Sequence, residues 1–160
     1  MRLPPYAYVP GRAPHPTRDA EGHSRGRDPF DDPPLDDSNW SRHTGFLFGF
    51  DLFNRGFFWE AHEVWEEAWH RVPPRSSARL LLQALIQATA SALKARCGDL
   101  ARARGLSDSA LGKLARIDGP RLCGVPLADL VALARDVADP SRPAPRLVLI
   151  SRRARPRSSR

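Results

Sequence analysis

The chain has little cysteine, little lysine and no long apolar run. Cys97 and Cys123 are its two cysteines, with no Cys-x-x-Cys pair. That excludes a disulfide framework and a four-thiolate metal site, and fits two reduced thiols in a cytoplasmic protein. No stretch approaches the roughly 18 apolar residues of a membrane span, and the start, MRLPPYAYVPG, has no apolar leader core. The expectation is a cytoplasmic protein, neither exported by a standard signal nor embedded in a membrane. There is no Walker-type phosphate loop and no GxGxxG, which removes the usual nucleotide-binding signatures. Of the 25 basic residues only Lys94 and Lys113 are lysine, an arginine excess that looks like a coding bias of a GC-rich, bacterial-type source more than a binding adaptation.

The formal net charge of +7 suggests a nucleic-acid binder until the charges are located. Arg142, Arg146, Arg152, Arg153, Arg155, Arg157 and Arg160 lie in a terminal segment without acids. Without these seven, the remaining 18 basic residues equal the 18 acidic ones, so the body is neutral and the tail carries the excess. Such a tail, Arg142–Arg160, can touch phosphates weakly and without sequence preference; as a terminal charge run it can equally be a solvated end.

What the sequence does have is helical pattern between Trp40 and Val137, flanked by irregular ends. It divides into an extended or disordered arm over 1–36, a helical domain over 37–140 and a basic tail over 141–160. The arm is rich in Pro, Gly, Asp and Arg, and contains the more patterned run PHPTRDAEGHS, Pro14 to Ser24. Asp37 and Ser38 can cap a first helix from about Trp40, with Phe46, Leu47, Phe50 and Phe53 apolar and Gly56 as its stop. A second helix, from Phe57 to about Arg71, is ended by Pro73 and Pro74. Ser76 or Ser77 caps a third that runs to Gly98. A fourth spans Asp99 to about Arg116, and a short fifth spans Leu127 to Val137. RLVLI, Arg146 to Ile150, is one short strand or extended segment without a strand partner, so a sheet is not expected. The fold class is all-α: a single compact bundle of about five helices with a Pro-rich arm and a basic tail.

The second helix carries the densest chemistry. At about 100° per residue, Phe57, Phe58, Ala61, Val64, Trp65, Ala68, Trp69 and Val72 share one broad arc, the core face. Glu60, Glu63 and Glu67 fall opposite, and His62 and Glu66 lie side by side at the arc's edge. Carboxylates this close repel one another unless cations, donors or a metal neutralise them. On the third helix Gln83, Gln87, Ser91 and Lys94 form a polar stripe. If it meets the acidic side, with Asp51 of the first helix nearby, a polar binding patch results. The competing reading is a solvated charged face over an aromatic core.

His62 and Glu66 also have the i, i+4 spacing that lets two side chains share one ion, with His15, Asp19 and His23 of the arm as further donors. A divalent metal is the one cofactor so suggested. HEVWE lacks the second histidine of the zinc-protease HExxH pattern, so that motif fails. Cys97 at a helix C-terminus is disfavoured as a thiolate.

DLFNRGFFWEAHEVWEEAW, Asp51 to Trp69, followed by LLQALIQATASALK, Leu81 to Lys94, resembles the prokaryotic family known as domain of unknown function 309. The arm segment YVPGRAPHPTRDAEGHS resembles an N-terminal extension of one branch, and the whole likeness covers roughly residues 6–135. The positions that match are Asp51, Asn54, Gly56, Glu60, His62, Glu63, Trp65, Glu66, Trp69, Gln83 and Gln87. Lys94 stands where many relatives carry His or Lys, and Ala84 where relatives often have Gly. The resemblance implies a compact helical bundle among small cytosolic proteins and supplies no reaction. Three functions follow as expectations: binding of a small ligand or protein partner through Asp51, Glu60, His62, Glu63, Glu66, Gln83, Gln87 and Lys94; metal-dependent hydrolysis through His62 and its carboxylates; and nucleic-acid contact through the arginine tail.

Overall fold

The computed structural model describes residues 1–139, 141–142 and 146–149. Five helices carry the fold: α1 Thr44–Phe53, α2 Phe58–Arg71, α3 Ser77–Arg96, α4 Leu100–Leu114 and α5 Leu127–Asp136. The connections between the first four are short, so each helix packs on the next. Cross-links from Arg79 to the Trp69 carbonyl and from His62 to the Ile86 carbonyl show that α2 and α3 run antiparallel. The expected all-α bundle is the observed one.

Local sequence explains most helix ends. The Ser76 hydroxyl accepts the Arg79 N–H and the Asp99 carboxylate accepts the Arg102 N–H, each supplying an acceptor to an otherwise orphan donor. Gly56 and Gly98 take φ of +82°, the left-handed turn that ends α1 and α3. The first helix begins differently from expectation. Trp40–Arg42 form a separate 3₁₀ turn, and α1 starts at Thr44 with the His43 ring accepting the Phe46 N–H. Neither expected cap serves α1: Ser38 donates to Asp36, and Asp37 accepts the Cys123 N–H at 2.8 Å.

A second departure is a small sheet. Strand β1, Arg121–Leu122, pairs antiparallel with β2, Val125–Pro126. The two-residue turn places Cys123 (φ +46°) and Gly124 (φ +74°) in the left-handed region, as the favoured tight hairpin turn requires. Burial, aided by the Asp37 and Asp36 carboxylates, pushes the Cys123 thiol up to about 12, so it stays protonated and unreactive at neutral pH. Cys97 is exposed, and both thiols are free.

The core centres on Trp65, which is 0% exposed. Its ring meets Phe50 edge-on at 5.0 Å, and its Nε1–H donates to the Phe46 carbonyl at 3.1 Å. Gly49 admits this approach, because a Cβ there would stand 2.2 Å from Trp65 Nε1. Leu81, Leu82 and Leu85 of α3 and Leu130 and Leu133 of α5 complete the interior. No helix among the described residues is long and apolar enough to cross a membrane.

Residues 1–36 contain no helix or strand but fold back onto α1 and α2, burying Val9 and Leu35. Within them PHPTRDAEGHS closes into a loop, with Asp19 accepting the His15 N–H and Pro16 accepting the Ser24 N–H. At the other end of the chain, Leu147 is buried and gripped by the Asn54 amide, which donates to its carbonyl and accepts its N–H, both at 2.9 Å. Residues 146–149 form no strand. Arg142 pairs with Asp136; Arg152, Arg153, Arg155, Arg157 and Arg160, expected to contact nucleic acid, lie outside the described residues, as does Ile150.

Candidate functional site

The side of α2 opposite the core is covered by the N-terminal arm. Glu60 lies in the first turn of α2 and is 4% exposed. Its Oε1 accepts the Tyr8 backbone N–H at 2.8 Å and faces His23 Nε2 at 3.0 Å. Its Oε2 is buried and has no hydrogen-bond partner among the described residues. Two turns on, Glu67 accepts the Phe30 N–H and pairs with Arg27 at 2.8 Å. The competing reading, a solvated acidic face, thus fails at Glu60 and Glu67, which are met by arm donors 37 to 52 positions away. Periodicity is blind to such partners.

Asp32 fastens the end of the arm. It accepts the N–H groups of Thr44 and Gly45 and sits 3.1 Å from the His43 ring. Burial opposes the charge of Asp32, but those N–H donors and His43 outweigh it and hold the carboxyl below its ordinary range. Burial lowers the His43 pKa, with Asp32 opposing.

Between arm, α1 and α2 lies a cleft of about 390 Å³. Leu3, Pro5, Phe48 and Leu52 form apolar walls, and Arg2, Arg27, Glu60 and Glu63 bring both signs of charge to the lining. Trp59 borders it and is clasped by the arm's rings, with Tyr8 at 5.5 Å and His15 at 5.3 Å. Tyr6 packs on His23 at 4.5 Å. Trp59, Tyr6, Tyr8, Arg2 and Arg27 escaped the sequence reading; the aromatic density of the arm (YAY) was the signal available.

The other expected site residues separate into groups. His62, Glu63 and Glu66 each offer a donor atom within 4.8 Å of the others. Burial, reinforced by Glu66, raises the Glu63 pKa, with His62, His15 and Arg27 opposing. The arm histidines do not join this trio: His23 is on Glu60, and His15 packs on Tyr8 and Trp59. The third-helix stripe turns away as well. Ser91 bonds to Ser107 and to the Ala103 carbonyl of α4, and Gln83, Gln87 and Lys94 make no hydrogen bond to the α2 carboxylates among the described residues. Gln87 Oε1 is buried without a partner. Asp51 is exposed and paired with Arg55. The patch expected between the acidic side of α2 and the stripe of α3 is thus replaced by one between α2 and the arm.

The family model for Domain of unknown function (DUF309) matches residues 46–106. That segment is similar to DUF309 domains. It runs from α1 into α4 and contains Glu60, His62, Glu63 and Glu66. The arm residues Arg2, Tyr8, His23 and Arg27 lie outside the matched DUF309 segment. The cleft is therefore built jointly by the family domain and the arm. No curated protein shows significant similarity to the chain.

Proposed function

We propose that the chain is a small-molecule-binding protein whose ligand occupies the cleft between the arm and α2. The observation that carries this reading is Glu60 Oε2: a buried carboxylate oxygen without a donor costs a few kcal/mol, on a residue that lines the cleft. A ligand donor that reaches this oxygen past the side chains covering it removes that cost. The cleft volume of about 390 Å³ lies in the range of small-ligand sites rather than protein interfaces. Its lining asks for a ligand with a hydrogen-bond donor or cationic group toward Glu60 and Glu63, an acceptor or anionic group toward Arg2 and Arg27, and a short apolar body between. The two free thiols support a reducing, cytoplasmic setting.

The test is a thermal-shift and calorimetric comparison of primary amines, zwitterionic amino acids and simple carboxylates. Amino acids with apolar side chains are expected to bind best, and Glu60→Gln, which turns Oε2 into a donor, is expected to weaken them at least about tenfold. Equal binding to wild type and Glu60→Gln would overturn the reading.

A further inference from the structure

We propose that residues 1–5 form a lid over the arm-covered cleft, and that Arg2 on this lid selects ligands carrying a carboxylate. The lid rests on the cleft reading above, since it is the entry to that site.

The way the arm is fastened is the first support. From Tyr6 onward it is tied down. The Tyr6 hydroxyl donates to the Pro14 carbonyl at 2.9 Å, its ring packs on His23 at 4.5 Å, and the Tyr8 N–H donates to Glu60 at 2.8 Å. Residues 1–5 make no hydrogen bond and no ion pair among the described residues. Their grip on the bundle is Leu3, half-buried against the core. Part-burial of one leucine gains about as much as ordering so short a segment costs, so closed and open forms lie near balance. Pro4 and Pro5 have fixed φ and no N–H, so the segment swings as a stiff piece about its anchor at Tyr6.

The second support is position. Arg2, Leu3, Pro4 and Pro5 are four consecutive residues of the cleft wall. Met1 and Arg2 also border two further spaces, of about 530 Å³ toward Asp31 and Thr44 and about 430 Å³ toward Asp51 and Arg55. The segment thus has open room beside it into which it can move. The cleft keeps its volume of about 390 Å³ with the segment in place, so the segment covers the site rather than filling it.

The two arginines of the lining supply the third support. Arg27 is committed: it pairs with Glu67 at 2.8 Å, donates to the Asp28 carbonyl and lies over the Phe30 ring. Arg2 is exposed and has no partner among the described residues. Its guanidinium fork is free to take a carboxylate through two parallel N–H groups. A ligand with a carboxylate gains that contact only when the lid is closed; an amine with the same apolar body gains nothing from it.

Binding of leucine and of 3-methylbutylamine, which is leucine without its carboxylate, tests the proposal on the full chain by calorimetry and NMR line shapes. Wild type is expected to prefer leucine at least about tenfold. Arg2→Gln is expected to remove that preference by weakening leucine alone. Leu3→Ala loosens the lid and is expected to speed both association and release of leucine, whereas Arg12→Gln, on the arm but off the cleft lining, matches wild type. In the free protein, methyl relaxation is expected to show exchange at Leu3 and none at Leu52, on the α1 wall of the same cleft. A rigid Leu3, or leucine binding that depends on Glu60 but is untouched by Arg2→Gln and Leu3→Ala, overturns the lid and leaves the cleft reading standing. Absence of any Glu60-dependent leucine binding overturns the cleft reading and the lid with it.

Discussion

Trp65 and Glu60, on the two flanks of α2, are buried almost equally and by opposite means. On one, Trp65 is 0% exposed among Phe46, Phe50 and Phe53. On the other, Glu60 is 4% exposed beneath the arm. The aromatic flank is stabilised by removing apolar surface from water, and its cohesion needs little beyond the neighbouring helices. The acidic flank is held by directed bonds from Tyr8, His23, Arg27 and Phe30, each of which must arrive at its place. The first flank makes the bundle; the second makes a lined cleft with one carboxylate oxygen still unpaired. A helix face that would be solvated in isolation becomes the wall of a cleft when a distant segment supplies its donors.

The comparison can be broken most sharply on the aromatic side. Trp65→Ala is expected to cost about 3–5 kcal/mol, seen as a lower urea midpoint for the whole bundle. A smaller loss, confined to the arm, would mean that the core does not centre on this residue.

Glu60→Ala ranks next, at about 2–3 kcal/mol, because it strands the Tyr8 N–H and the His23 ring under the arm. Its signature differs from that of Trp65→Ala. Trypsin is expected to cut the arm at Arg12, Arg18 or Arg25 while the bundle stays intact, a local rather than global opening. Unchanged protection of the arm would show that the acidic flank is not what holds it.

Acid sharpens the comparison further, since the arm's anchors titrate and the aromatic core does not. The His43 pKa is below its ordinary 6.5, so the unfolded chain takes up the proton first. This contribution is complete above about pH 6.5 and shrinks as pH falls below it. Asp32 is shifted below its ordinary 3.8, so its contribution persists to lower pH and disappears only as pH falls through that region. Urea midpoints are expected to drop from pH 7.5 to pH 5, and His43→Gln to flatten that slope.

Glu63→Gln gives the smallest effect, and of opposite sign. The Glu63 pKa is raised above 4.5, so its ionised form weighs against the fold at neutral pH, a cost absent below that value. Metal-free Glu63→Gln is expected to melt slightly higher than wild type at pH 7 and no higher at pH 4.

Much of this was legible in the sequence where cause and effect are close along the chain. Pro73 ends α2, Ser76 caps α3, Gly98 ends it, and the 3.6-residue period marks Trp65 as core. What escaped depends on partners far away. The His43 cap needs a ring to do what Asp37 and Ser38 were expected to do, and Asp37 is occupied by Cys123, 86 positions on. The hairpin at 121–126 is too short for strand periodicity. The arm has no period of its own: its backbone N–H groups close isolated turns, and those of Tyr8 and Phe30 bond to the distant Glu60 and Glu67. For the candidate site, the trio His62, Glu63 and Glu66 was visible on one helix, whereas the cleft that adjoins it needed the arm's path.

The central claim is that the acidic flank of α2 is a ligand site completed by the arm. Titration of an apolar amino acid into ¹⁵N-labelled protein tests it most directly, through the Tyr8 amide on Glu60 and the Trp59 indole at the cleft edge. The account predicts that both signals shift together, saturate at one equivalent per chain and stay still in Glu60→Gln. Shifts that map elsewhere, or that persist unchanged in Glu60→Gln, would contradict it.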